Sequence, residues 1–206
     1  MNFGKKFSKI FLVFGIIIIA YIAMVFHLSR TSKNEDFDDL YKALKKIDQK
    51  EMAFEAFTKY EKKAGDYLVN KLPVEKDNLT KSDVIQIIGL VGCTDCEEKL
   101  IPFLEDTDWR IRFFTIDTLD KLKYQNISDL LPNIITKDNS RSVKIKAIVT
   151  LGKHGSAKDS IFLDYLSKLN EYQDKKLRRA IDMALSELKS GAHTKGSDRN
   201  IQQGGR

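Results

Sequence analysis

The sequence predicts an all-α chain: one N-terminal transmembrane helix followed by an α-solenoid of about four helix pairs. Three observations carry this. A run of uncharged residues stands near the N-terminus, the apolar period beyond residue 35 is close to that of a helix, and one residue string recurs every 31–34 positions. The 206 residues leave room for one domain or two small ones. At 42% apolar and 31% charged, the body is composed like an ordinary soluble fold. Two cysteines exclude a disulfide-dense secreted module, and three widely spaced histidines leave little material for a histidine metal centre, so no cofactor is expected.

Residues 1–9 form a basic flank carrying Lys5, Lys6 and Lys9. Residues 10–28 read IFLVFGIIIIAYIAMVFHL, with no Asp, Glu, Lys or Arg. At ~1.5 Å per residue this run spans about 28 Å, close to the hydrocarbon thickness of a bilayer. A cleaved signal peptide would have a shorter apolar core and a small-x-small site after it. Here Ala20 and Ala23 are three apart, and bulky Met24, Val25 and Phe26 follow. The segment therefore reads as an uncleaved single-pass anchor. Three lysines precede it, against Arg30 and Lys33 after it. The positive-inside rule then puts the N-terminus in the cytoplasm and the body outside it.

Residues 29–63 read as a linker and N-terminal capping helices over 36–48 and 51–63. Phe37, Leu40, Tyr41, Leu44 and Ile47 form one helical stripe; Phe57, Tyr60, Ala64, Tyr67, Leu68 and Leu72 form a second. No stretch alternates with the period of a strand.

Residues 64–190 carry the repeat. Asp106–Leu119 (DTDWRIRFFTIDTL) aligns with Asp138–Leu151 (DNSRSVKIKAIVTL) at an offset of 32. The shared columns are Asp106/Asp138, Ile111/Val143, Arg112/Lys144, Thr115/Ala147 and Leu119/Leu151. The pattern extends downstream to Leu177, Arg178, Ile181 and Leu185, and upstream to Thr80, Lys81, Val84 and Ile88. Those outer copies lack the aspartate, with Glu75 and Tyr172 in its place. Gly89–Gly92 and Gly152–Gly155 follow two of the copies and are expected to end helices in left-handed caps. A short apolar helix precedes each copy, over Gly65–Leu72, Glu97–Glu105, Ile127–Thr136 and Ala157–Leu169. One such pair cannot cover its own apolar face, whereas a stack of four can.

The Asp-x-x-x-x-aliphatic-basic-x-x-small-x-x-x-Leu string and the Leu-Gly-x-x-Gly ending at Leu151–Gly155 resemble the HEAT-repeat family, in particular its short bacterial, phycobilisome-lyase-like form. The resemblance covers about residues 64–189. It implies stacked helix pairs and a protein-binding surface, and it is nearly silent on chemistry. The tail, 191–206, is polar and glycine-rich and is expected to be disordered.

The net charge of +6 divides unevenly. Residues 1–34 carry +5 and the tail +2, while 35–190 hold 27 basic and 28 acidic residues. A neutral body argues against nucleic acid as a partner. The basic column Lys81, Arg112, Lys144 and Arg178 reads as structural, each side chain bonding the turn before it, with a charged binding track as the alternative. Trp109, Phe113 and Phe114 are the candidate contacts for a partner protein, because one helix cannot easily bury both phenylalanines on one side. Cys93 and Cys96 form a Cys-x-x-Cys after a helix, a place for a local disulfide or, on the alternative reading, a redox pair. No Gly-rich phosphate loop, nucleophile elbow or paired metal motif is present. The function expected is a non-catalytic, membrane-anchored adaptor or scaffold holding an unknown protein. The alternatives are a tethered thiol-redox protein and a ligand- or chromophore-handling module.

Overall fold

The computed structural model describes residues 36–201, with side chains through Ser190. The basic flank and the anchor expected over 10–28 lie outside the described residues. Among those described, every element is helical, and no helix is long and apolar enough to cross a membrane. The chain divides after Ala56 into two compact units.

In the first unit, helix α1 covers 36–44. Phe37, Tyr41 and Leu44 are buried at helical spacing. Ile47, expected on the same stripe, lies beyond the helix end and is fully exposed. Helix α2, Lys50–Thr58, runs across the boundary between the units.

The second unit opens with a break that periodicity could not show. Glu61 adopts φ 50, which a helix cannot propagate through, so α2 stops at Thr58 and α3 runs Lys62–Val69. The stripe expected from Phe57 to Leu72 is thus shared by two helices, with Phe57 stacked on Tyr67 at 6.4 Å and Tyr60 left exposed between them. Beyond α3 come α4 (Asn78–Leu90), α5 (Glu97–Leu100, continued as a 3-10 turn through Glu105), α6 (Trp109–Leu122), α7 (Ile127–Lys137), α8 (Arg141–His154), α9 (Ala157–Leu166) and α10 (Lys175–Ile201). The long α10 continues past Gly191, where the disordered tail was expected to begin. Its extension contains no proline to stop propagation.

From α4 on the even helices pack in series, α4 on α6, α6 on α8 and α8 on α10, and α3, α5, α7 and α9 each pack on the even helix that follows. We call α4, α6, α8 and α10 the spine. Its core repeats with the sequence. Val84, Thr115, Ala147 and Ile181 are fully buried in one column, and Ile85, Ile116 and Ile148 in the next. Burying one such aliphatic side chain contributes about 1.5–3 kcal/mol.

Glycines set the spacing of the spine. A Cβ on Gly152 would stand 2.6 Å from Ala184 Cα, and one on Gly89 would stand 3.1 Å from Thr118 Oγ1. These two glycines allow close helix approach rather than capping. Gly155 is extended, and Gly92 alone of the four has the left-handed φ, +68.

Candidate functional site

Three of the four spine helices start on an aspartate that accepts from the first turn, and α8 starts on Ser140, whose side chain makes no such bond. Asp77 caps α4, accepting from Thr80 N at 2.8 Å; Asp108 caps α6, accepting from Arg110 N at 2.9 Å; Asp174 accepts from Lys176 N at 3.1 Å at the start of α10. The repeat aspartates stand two residues ahead of the cap. Asp106 Oδ1 accepts from Asp108 N at 2.9 Å, and Asp138 Oδ1 accepts from Ser140 N at 2.7 Å. Glu75 does the same in the first copy, accepting from Asp77 N at 2.9 Å.

The basic column runs between repeats. Lys81 reaches Asp106 of the next copy at 3.1 Å. Arg112 binds the preceding turn through the Asp106 carbonyl at 2.7 Å. Its guanidinium also grips Asp138 of the following copy, Nε to Oδ2 at 2.6 Å and Nη2 to Oδ1 at 2.8 Å. Lys144 lies 5.1 Å over the ring of Tyr172, which occupies the aspartate's place in the last copy. Arg178 donates to the Ser167 carbonyl at 2.6 Å and pairs with Asp182. The hydrogen bond to Asp138 holds the Arg112 guanidinium more basic than usual. At Asp138 burial pushes the carboxyl up, but the Arg112 and Ser140 bonds together hold it below its ordinary range. Tyr172 is buried, donates to the Ile135 carbonyl at 2.9 Å, and has its phenol pushed up to about 12 by burial and then by Glu171.

Trp109 is 46% exposed at the first residue of α6, beside Asn78, Arg110 and Ser140 in a shallow groove. One turn on, Phe113 and Phe114 are both half-buried and meet edge to face at 5.4 Å. Lys146 of α8 sits 5.8 Å from the Phe113 ring. Beyond them, Asp117 bridges Lys121 and Lys146, and Asp120 binds Lys153 at 2.8 Å and His154 at 2.8 Å. At both aspartates burial works to raise the carboxyl, and the hydrogen bonds and lysine charges around it outweigh that.

Sequence reasoning missed the rest of this face. Ile145 and Val149 on α8 and Met183 on α10 occupy the register positions of Phe113 and Asp117, and none is fully buried. Met183 is 54% exposed. The same 32–34-residue offset that locates the core columns locates these residues.

Cys93 and Cys96 are joined in a disulfide, and both are fully buried. It packs on α3, where a Cβ on Gly65 would stand 2.8 Å from Cys93 Sγ. A carboxylate oxygen of Asp66 stands near both sulfurs, but bonded sulfurs carry no thiolate to offer a metal. A groove of about 520 Å³ lies between the Ile101–Glu105 turn and α7. Ile101, Leu104, Leu130 and Ile134 line it together with Glu105, Lys137 and the bridged Asp106, Arg112 and Asp138.

No protein-family model matches the chain. No curated protein matches it. Among solved structures it is similar to the crystal structure of an engineered protein, at 17% identity and a TM-score of 0.49, over 79% of this chain and 83% of that one.

Proposed function

We propose that the chain is a membrane-anchored HEAT-repeat adaptor, an α-solenoid of about four helix pairs that binds another protein through the exposed face of its spine. It is a binding protein rather than an enzyme. The observation that carries this reading is the partly exposed apolar surface of Trp109, Phe113 and Phe114 on α6, continued by Ile145, Val149 and Met183. It lies on stacked helices, and a preorganised surface loses little entropy on docking. The anchor over 10–28 supplies the second half of the function, raising the local concentration of whatever is held.

The disulfide supports a body on the oxidising side of the membrane, in line with the distribution of basic residues about the anchor. The same disulfide weighs against the thiol-redox alternative, because exchange needs an attackable sulfur and both are buried. The 520 Å³ groove favours ligand handling as the second reading, being of small-molecule size and lined by apolar and charged side chains together.

The test is affinity capture of the full-length protein from its native membrane after mild cross-linking. The variant is Trp109→Ala/Phe113→Ala/Phe114→Ala, with its helicity checked by circular dichroism. A near-stoichiometric protein lost from the variant is expected. Equal recovery from both would contradict the adaptor reading, and a co-purifying small molecule in native mass spectra would favour the groove.

A further inference from the structure

Charge along the body is uneven in a way its near-zero total hides. Residues 35–140 hold 16 basic and 22 acidic side chains; residues 141–190 hold 11 basic and 6 acidic. The excess positive charge therefore belongs to the last two spine helices and the segment between them. Much of it is already engaged. Lys146 pairs with Asp117, Lys153 with Asp120 and Arg141 with Asp174. Lys175, Lys176 and Arg179 are different. All three are exposed in the first two turns of α10 and make no ion pair among the described residues.

These cations flank the apolar face at its α10 end. Arg179 shares a register column with Phe113 and Ile145. Lys176 shares one with Arg110 and Ser142, and Met183, one turn on from Arg179, shares one with Asp117 and Val149. The unpaired cations thus lie on α10, beside the apolar groups that α6 and α8 present in the same register columns. An apolar partner alone would leave the cations without a counter-charge, and a simple polyanion would leave the aromatic and aliphatic side chains without a contact.

We propose that this face binds an acidic segment of a partner protein, one carrying large apolar side chains among aspartates and glutamates. The proposal rests on the adaptor reading and specifies the chemistry of what the adaptor holds. The apolar side chains of the segment dock on Phe113, Phe114, Ile145 and Met183. Its carboxylates meet Lys175, Lys176 and Arg179, which speeds encounter and excludes basic competitors.

The experiment uses the full-length protein in detergent micelles and two labelled synthetic amphipathic peptides. They share the same Leu and Phe positions; one carries Glu at every polar position and the other Lys. Anisotropy reports binding, and Trp109, the only tryptophan, reports occupancy of the α6 end of the face. The Glu peptide is expected to bind at least about tenfold more tightly than the Lys peptide, and to weaken as salt is raised. Lys175→Glu/Lys176→Glu/Arg179→Glu is expected to abolish that preference without lowering the melting temperature, since all three side chains are exposed. Equal binding of the two peptides, binding of neither, or an unchanged preference in the triple variant overturns the proposal. So does binding of anionic phosphatidylglycerol vesicles that the variant loses while neither peptide binds. Capture of the native partner keeps the two claims separate. A partner kept by the charge variant but lost from the aromatic variant sinks the acidic segment and leaves the adaptor standing. A partner kept by both sinks the adaptor.

Discussion

Asp138 serves three donors with two oxygens: the Ser140 amide and two guanidinium nitrogens of Arg112. It is 5% exposed as a side chain and Arg112 15%, so each supplies the other's main charged partner in place of water. Removing one partner of such a buried pair costs about 3–5 kcal/mol, whereas replacing both by apolar groups costs far less. Arg112→Met should therefore destabilise strongly in urea denaturation, and Arg112→Met/Asp138→Leu should recover most of the loss. A double variant as weak as the single one would show that the pair adds stability beyond its own desolvation. The pH dependence has a definite sign. The folded carboxyl titrates below its unfolded value of about 3.9, so its contribution is complete at neutral pH and disappears as pH falls through the folded value. Asp138→Asn should flatten the fall in stability between pH 5 and pH 3. At this scale the sequence showed the columns but not the partners. A repeat of 31–34 residues identifies equivalent positions, yet whether a basic residue bonds backward or forward depends on the rise between helices. Arg112 does both, and Lys81 bonds forward to Asp106.

Among elements, the spine contacts make sharper predictions than the turns. Gly152→Ala would push a methyl into the Ala184 backbone and should destabilise by about 2 kcal/mol or more. Gly92→Ala meets open space and faces only its left-handed φ, a cost of about 1 kcal/mol. Thermal melts of the two should separate clearly, and the reverse order would mean that these glycines act as caps after all. Ala147→Glu buries a charge where α8 meets its neighbours and should prevent cooperative folding, read as loss of helicity and of a sigmoidal melt. The fourth copy explains its own degeneracy. Asp182 of α10 takes the register position of the buried Ile85, Ile116 and Ile148 and is exposed. A polar residue there suits a helix that receives no further spine neighbour among the described residues. Helix pairing was readable because amphipathic period and repeat agree. The break at Glu61 was not, because its positive φ leaves no mark in a lysine- and glutamate-rich stretch.

Across the whole molecule, the Cys93–Cys96 disulfide is the feature on which the proposal of a body outside the reducing cytoplasm is tested. The Cys93–Cys96 loop is short, so its chain-entropy contribution is about 2 kcal/mol, and reduction should lower the melting temperature without unfolding the array. Alkylation of membranes without reductant should leave both cysteines unmodified; rapid labelling of both would place the body in a reducing compartment. The aromatic part of the candidate surface was legible in the sequence because Trp109, Phe113 and Phe114 fall within six residues. Its extension over α8 and α10 was not, since Ile145, Val149 and Met183 look like core residues until packing assigns the buried sides. The most direct test of the account is site-specific photo-cross-linking in the native membrane. One photoreactive side chain replaces Phe113 or Met183 on the spine, or exposed Asn133 on α7. The account predicts one protein adduct shared by the two spine positions and absent from Asn133. An adduct that forms only at Asn133, or none at either spine position, would contradict it.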